Sequence, residues 1–445
     1  MQKNQCLILS KLISSLETRY KLKKCLLIAY YFPPREGIGS QRPSKLAKYF
    51  PEFGWEPIVL TAQLPGKPQN GLRIIETDYK DVLASAKSLF GFDRNRSLQE
   101  QINIHVSKNY THDTLRSKII KFAKEIIAYP DYQRGWYKYA IQSAHEFLEK
   151  EKVDILLSTS SPVISHVIAR ELKKMYRIPW VADLRDLWTQ NHFYGKYRLI
   201  RYFEKRLELK TLALSDAIVT VTPGFEDKLK ILHEDKSTHC LTNGFDGEDF
   251  KGSRKLKGKF AITHTGMLYA GRRDPSLLFE ALSMLIDENK IDRKLLELRF
   301  YGPQEDWLFD EVKKYRLDGN VVYGNVSREQ ALEKQRESQI LLLLLDKNNN
   351  EEDVYPAKLF EYFGARRPII AFGGSGGAVK DLLEKTKAGE FAMNKEGLKS
   401  ILYKCYQQFV AAGEVGCSSN DHFKKFMYEN ITKRYAEILN GIVMK

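Results

Sequence analysis

Residues 340–372 constrain this chain more than any other stretch. Ile340-Leu-Leu-Leu-Leu-Leu345 is an apolar run with no polar alternation. A strand of that kind is buried on both faces, which calls for helices above and below it, as in a parallel α/β sheet. A polar loop follows, from Asp346 to Asp353. Pro356 suits the first turn of a helix, where a missing N–H costs nothing. The spacing predicts a helix from about Pro356 to Ala365, stopped by Pro368, and Pro368-Ile-Ile-Ala-Phe372 reads as the next strand. The loop and the helix start then lie at the carboxyl end of the first strand, where open parallel sheets bind ligands. A helix N-terminus there favours phosphate, and Lys358 adds a full positive charge. Glu361 lies one turn on and faces the same way, where a carboxylate can hold sugar hydroxyls. The plainer reading is a lysine and a glutamate on the solvent face of an ordinary helix.

The chain has 445 residues, enough for two or three domains that each bury a core. Its net charge of +15 argues for an anionic partner: a nucleotide, a nucleic acid or an acidic membrane surface. The basic residues are spread along helices without a recognisable nucleic-acid module, so nucleic acid is not the expected partner. The five cysteines form no CxxC pair, which indicates neither a zinc site nor a disulfide framework and fits a reducing compartment. No apolar run approaches the roughly 18 residues needed to span a bilayer. The stretch Cys6–Ile13 is interrupted by Lys11 and lacks a small-residue cleavage site, so no signal peptide is expected.

Along the chain, a basic leader (1–24) precedes Cys25-Leu-Leu-Ile-Ala29, a short buried strand. Tyr30–Gly39 leads into a helix near Arg42–Phe50, and Gly54–Thr61 is a second strand. In this βαβ opening Gly37 and Gly39 let a ligand approach the backbone closely. Gly-x-Gly alone is weak, and a dinucleotide-binding fingerprint would want a third glycine where this chain has Arg42. Residues 63–150 are poorly patterned. Ser107–Tyr129 holds a candidate amphipathic helix, with Leu115, Ile119, Phe122 and Ile126 on one face and Lys118, Lys121 and Lys124 on the other. It either packs on the core with a solvated lysine face or lies on anionic lipid. Asp154–Thr159 is a strand, Ser160-Ser-Pro162 its exit loop, and a helix follows with His166, a packing or a catalytic histidine. Pro179–Asp183 is another strand, running into Arg185-Asp186-Leu-Trp188. Its two carboxylates and guanidinium either face a crevice or form a buried pair that shapes the loop. Tyr197–Leu214 reads as a long basic helix and Ala217–Thr222 as a strand. Phe260–Thr265 opens a second series of strands, continued by Leu298–Gly302, Val321–Val326 and the 340–372 unit. Gly373–Gly377 reads as a flexible turn and Asn420–Leu439 as a last helix.

Asp353–Phe372 resembles the donor-binding motif of family 4 glycosyltransferases, which have the GT-B fold. Pro356-x-Lys358-x-x-Glu361-Tyr362, Asp183-x-Arg185-Asp186-x-Trp188 and Pro130–Trp136 are similar to the branch of that family that works in surface-polysaccharide synthesis. The resemblance implies an α/β, GT-B architecture of two Rossmann-like domains facing across a cleft. Residues 25–245 would form the acceptor-side domain and 246–427 the nucleotide-sugar domain, with a C-terminal helix (about 428–445) crossing back to the first. Family members carry two glutamates with seven residues between them. Glu361 matches the second, and Asp353 stands at the first. Where the family has an arginine and then a lysine for the diphosphate, this chain has Met267 and Arg273, and the latter keeps the charge with a bidentate fork. Asp353, Glu361, Arg273 and Lys358 would carry the chemistry. Gly37, Gly39, Gly266, Asn325, Val326, Tyr355 and Leu359 would help hold the donor. Ser160, His166, Asp183, Arg185 and Asp186 would lie on the acceptor side. The implied reaction moves a sugar from a nucleoside-diphosphate sugar to a lipid-linked or saccharide acceptor, with retention and with no metal or other cofactor. A sugar-nucleotide epimerase or a non-catalytic partner protein of the same fold are the alternatives. Lys118, Lys121, Lys124 and the set Arg198, Arg201, Lys205 and Arg206 suggest a cytoplasmic protein, peripheral on the inner face of the cytoplasmic membrane.

Overall fold

Ile340–Leu344 forms a strand, and its side chains account for the unbroken apolar run. Ile340, Leu342 and Leu344 enter one core with Phe260, Leu278 and Leu298, while Leu341, Leu343 and Leu345 enter another with Leu359, Phe360 and Val379. Successive strand residues point to opposite faces, so no position in the run is left to water. The structure is a computed structural model that describes residues 22–35, 37–67, 71–80, 82, 122, 125–191, 197–252, 256, 258–347, 352–417 and 421–444. Most of the basic leader lies outside the described residues, as do most of the helix expected at Ser107–Tyr129 and its three lysines.

The chain divides into two compact units. The first takes the described residues up to Val221, Phe225–Leu241 and those from Thr432 onward, and the second takes Thr222–Gly224 and Thr242–Ile431. Strands β1 (Lys23–Ile28), β2 (Trp55–Ala62), β3 (Arg73–Thr77), β4 (Ile155–Ser160), β5 (Trp180–Leu184), β6 (Ala217–Thr220) and β7 (Ser237–Cys240) form the first sheet. It is parallel, in the order β3-β2-β1-β4-β5-β6-β7. Its helices are α1 (Ile38–Tyr49), α2 (Tyr137–Leu148), α3 (Ile164–Tyr176), α4 (Arg198–Leu212) and α5 (Pro223–Leu232). Four tryptophans, Trp55, Trp136, Trp180 and Trp188, are almost fully buried here. Trp136 ends the segment Pro130–Trp136, and its Nε1 donates to Thr77 Oγ1 at 2.7 Å, so that segment is fastened to the edge of the sheet.

The second sheet contains β8 (Phe260–Thr265), β9 (Leu296–Tyr301), β10 (Val321–Gly324), β11 (Ile340–Leu344), β12 (Ile369–Phe372) and β13 (Gly389–Ala392). It is parallel in the order β10-β9-β8-β11-β12-β13. The helices of this half are α6 (Ser276–Asp287), α7 (Asp306–Lys314), α8 (Arg328–Arg336), α9 (Ala357–Ala365), α10 (Gly377–Thr386) and α11 (Lys395–Ala412). A final helix, α12 (Tyr428–Val443), begins in the second unit and has its residues from Thr432 in the first. Pro356 is the residue just before α9, with φ −57° and ψ 135°. Leu359, Phe360, Tyr362 and Phe363 turn the buried face of α9 inward, which leaves Lys358 and Glu361 half-buried on its other side. Arg366 closes the helix at φ 53°, and Pro368 keeps it closed.

Candidate functional site

In the second sheet the chain order reverses between β8 and β11. From β8 the strands step outward through β9 to β10, and from β11 through β12 to β13. Loops leaving two such neighbours part in opposite directions, which opens a crevice at their carboxyl ends. The loop after β8 starts at Gly266, at φ 104°, where only glycine is at ease. A side chain there would also come within 3.1 Å of Lys358 Nζ, the first cation of α9. Lys358 Nζ lies 3.3 Å from Nε2 of His264, a fully buried residue of β8. The other ring nitrogen, Nδ1, lies 3.1 Å from the carbonyl oxygen of Leu342 in β11. Burial, and after it the Lys358 charge, hold His264 neutral, well below the usual histidine range.

Glu361 stands one turn along α9. Its Oε2 accepts from Gln335 Nε2 at 3.4 Å, and its Oε1 lies 3.6 Å from Arg328 Nε. Gln335 also donates to Thr265 Oγ1 at the end of β8, at 3.0 Å, and Arg328 reaches Asp249 Oδ2 at 3.1 Å. Burial pushes the Glu361 carboxyl up, and Arg328 opposes that. Arg328 and Gln335 are additions that the sequence reading did not single out. The signal was present, because Ser327-Arg-Glu-Gln330 forms a capping box that starts a helix directly after β10.

Arg273 lies with its guanidinium carbon 4.8 Å from the centre of the Tyr269 ring, and its charge acts on both His264 and Tyr362. Its neighbour Arg272 donates through Nε to buried Asp346 Oδ2 at 2.8 Å and so laces the loop after β8 to the loop after β11. Lys358, Arg273 and Glu361 are thus gathered around the ends of β8 and β11. Asp353 lies with its carboxylate against the backbone of Gly224, where a Cβ would be 2.3 Å from Oδ1. Leu359 is fully buried under α9, so its side chain belongs to the core and only its backbone remains for a ligand. Tyr355 is half-buried, edge-on to Phe360 with ring centres 6.0 Å apart. Asn325 is exposed and Val326 half-buried just after β10. Among the described residues, no group of three or more His, Cys, Asp or Glu is placed to hold a metal ion.

The first unit has its own reversal, between β1 and β4. Arg185 bridges it, donating from Nη1 to the Gly39 carbonyl at 2.7 Å and from Nε to the Ser160 carbonyl at 2.6 Å. Gly37 is exposed at the start of α1, and Gly39 lies against the ring of Tyr31. Asp186 is exposed. Asp183 and His166, expected on the acceptor side, are both fully buried and present no polar atom to solvent. Asp183 accepts from Thr159 Oγ1 at 2.7 Å and Tyr435 OH at 2.6 Å and is paired with Arg42 at 3.1 Å. His166 Nδ1 meets Ser158 Oγ at 2.7 Å. Both belong to the support of the loops, because a buried carboxylate and a buried ring need inside partners. Among the described residues, His166 Nε2, Ser160 Oγ, Ser165 Oγ and Trp188 Nε1 are buried without a hydrogen-bond partner.

Burial pushes the His166 ring down to about 3. In the unfolded chain a histidine titrates near 6.5. Between those values the unfolded state binds more protons, so stability falls as the pH drops through the window, by about 1.4 kcal/mol per unit. Acidifying from pH 6.5 to pH 5 should therefore cost about 2 kcal/mol through His166 alone. Urea unfolding at several pH values checks this. His166→Asn, which keeps a polar partner for Ser158, should show a shallower acid loss than the parent, and equal slopes would count against it.

No protein-family model matches the chain, and no curated protein matches it. Solved structures do. Anabaena HepE, crystallised with UDP and glucose, superposes with a TM-score of 0.60 at 13% identity, covering 94% of this chain and 100% of its own. A glycosyltransferase from Rickettsia africae gives 0.57 at 14% identity, covering 95% of this chain and 99% of its own. Sucrose-phosphate synthase from Thermosynechococcus elongatus gives 0.53 at 12% identity, covering 95% and 96%. At these identities the likeness shows the fold: two parallel-sheet, Rossmann-like units of the GT-B class.

Proposed function

We propose that the protein is a glycosyltransferase that moves a sugar from a nucleoside-diphosphate sugar to a lipid-linked or saccharide acceptor. A fold alone does not choose a reaction. The observation that carries the reading is the gathering of Lys358, Arg273 and Glu361 where the second sheet reverses its order. Two cations beside a helix N-terminus suit a diphosphate and can stabilise it as it leaves. Glu361, held by Arg328 and Gln335, suits the hydroxyls of the ribose or the sugar. Asp353 would take the place of the family's first glutamate, one methylene shorter, and meet the donor directly or through a water. The UDP in the HepE crystals makes UDP the first nucleotide to try. Retention at the anomeric carbon, independence of metal and membership of family 4 belong to this proposal through the sequence resemblance. The test is release of nucleoside diphosphate from a panel of nucleotide sugars, with and without candidate acceptors. Glu361→Gln should keep the fold and lose most of the turnover. Full turnover in that variant would assign Glu361 to the surface of an ordinary helix.

The acceptor side of the proposal rests on α4. Arg198, Arg201, Lys205 and Arg206 are exposed along it, interleaved with exposed Leu199, Tyr202 and Phe203. Among the described residues, no helix is long and apolar enough to cross a membrane. A helix with cations beside exposed apolar side chains suits the surface of an anionic bilayer, where each basic residue contributes about 1 kcal/mol. Co-sedimentation with anionic liposomes is expected at low salt and should weaken as salt screens the charges. Neutral liposomes should bind poorly. Equal binding to both, or to neither, would favour an acceptor free in solution.

A further inference from the structure

We propose that His264 is a positioning residue for Lys358, whose ammonium it holds at the mouth of β8 through the lone pair of Nε2. The inference rests on the donor reading of this site and adds a residue that neither the motif nor the sequence reading included.

The hydrogen-bond roles follow from the partners. Two backbone groups that can only accept meet the ring, the Leu342 carbonyl 3.1 Å from Nδ1 and the backbone of Gly266, and with the Lys358 ammonium beside Nε2 we assign the single ring proton to Nδ1. A neutral imidazole has one N–H, which leaves Nε2 as an acceptor. Lys358 Nζ, 3.3 Å from Nε2, has only donors to offer. The ring is fully buried, with the Phe300 ring centre 6.1 Å away, and burial together with the cations nearby favours the neutral form that this arrangement requires. The same Leu342 carbonyl accepts from Tyr362 OH at 3.2 Å. Tyr362 lies one turn after Lys358 on α9, so one carbonyl of β11 ties down both the histidine and the helix that carries the lysine.

Gly266 closes the other side. A Cβ there would sit 3.1 Å from Nζ, so the ammonium is confined between the imidazole and the bare backbone of the loop after β8. Lysine is a long side chain that loses much rotamer freedom when it is fixed. Holding it before a phosphate arrives removes that loss from the binding step. An apolar side chain at position 264 would fill the same space in the core but would remove the lone pair offered to the ammonium.

Two measurements test this. Nitrogen-15 spectra of histidine-labelled protein without ligand should show His264 as the Nδ1–H tautomer, and Lys358→Met should move its Nε2 resonance. An Nε2–H tautomer, or an Nε2 resonance indifferent to Lys358→Met, would overturn the proposal whatever the protein binds. The second measurement is calorimetric titration with UDP. His264→Gln can place an amide oxygen near the Nε2 position, whereas His264→Asn is too short to do so. Asn should weaken UDP binding about tenfold and Gln by no more than about threefold, as expected for a hydrogen bond to a charged group. Equal affinities for the Asn variant and the parent, at matched thermal midpoints, would overturn the proposal. A parent that binds no nucleoside diphosphate would defeat the donor reading instead, and the resonance shift would then decide on His264.

Discussion

Replacing Arg42 by methionine is expected to lower the unfolding free energy by about 3–5 kcal/mol, the usual result of stripping one partner from a buried ion pair. Arg42 and Asp183 are almost completely buried. Arg42 Nε and Nη2 each lie 3.1 Å from a different oxygen of Asp183, and Nη2 also donates to the Leu241 carbonyl at 2.7 Å. Tyr435, from the last helix, donates to Asp183 Oδ1 at 2.6 Å. This one pair therefore joins α1, β5, the segment after β7 and α12 within the first unit. Burial by itself would push the Asp183 carboxyl up, but Arg42 and the Tyr435 hydroxyl outweigh it and hold it below the usual range. In the parent, the stabilising effect of this carboxylate is present above its unfolded value and is lost as the pH falls through its folded value. Without Arg42 only burial and lesser contacts remain, so the native state takes up a proton more readily. The deficit of Arg42→Met relative to the parent should thus be largest near neutral pH and narrow on acidification. Adding Asp183→Leu should recover part of the loss, since an apolar pair does not leave a buried charge. Urea unfolding of the three proteins at two pH values is the check. A loss below about 1 kcal/mol would mean that Asp183 regains water when Arg42 is removed.

Lys358→Ala is expected to weaken nucleoside-diphosphate binding by tenfold or more, or about 1.5–3 kcal/mol, the range for a hydrogen bond to a charged group. The lysine is fixed by His264 on one side and Gly266 on the other, at the start of α9. An ammonium in that place adds a full charge to the partial charge of the helix end. The fold should survive, because the residues that seat α9, among them Leu359, Phe360 and Phe363, are untouched. Arg272→Ala is the contrasting variant. Its guanidinium serves buried Asp346, so its loss should appear mainly in the thermal midpoint. Calorimetry and thermal melting on both variants separate the two roles. Unchanged nucleotide affinity in folded Lys358→Ala would remove the lysine from the donor site.

The stretch from Ile340 to Phe372 was legible because both faces of β11 are covered and because prolines bracket α9. The strands that escaped the reading, β3, β7 and β13, are all sheet edges. Arg73-Ile-Ile-Glu-Thr77 and Ser237-Thr-His-Cys240 are paired on one side only and carry few apolar side chains, so no run announces them. The site was half legible. Lys358 and Glu361 sit on a periodic helix, and their spacing puts them on one side. His264 was hidden inside Phe-Ala-Ile-Thr-His-Thr, a strand like any other, since its meaning comes from a lysine 94 residues away. The pattern Asp183-Leu-Arg185-Asp186 names three charged groups but not their directions. Only the packed strand shows that Asp183 turns inward to Arg42 while Asp186 lies on an exposed turn. Arg42 itself stands where a dinucleotide fingerprint would want glycine, and the structure gives it a use that excludes one.

In the proposed function the ends of β8 and β11 hold a nucleoside diphosphate carrying a sugar. Calorimetric titration of the purified protein with UDP, GDP and ADP and with their sugar conjugates tests it most directly. Saturable one-to-one binding of one nucleotide and its conjugate is expected, weakened tenfold or more by Lys358→Ala. Absence of binding by every nucleotide in the panel, or binding that Lys358→Ala and Arg273→Ala leave unchanged, would contradict it.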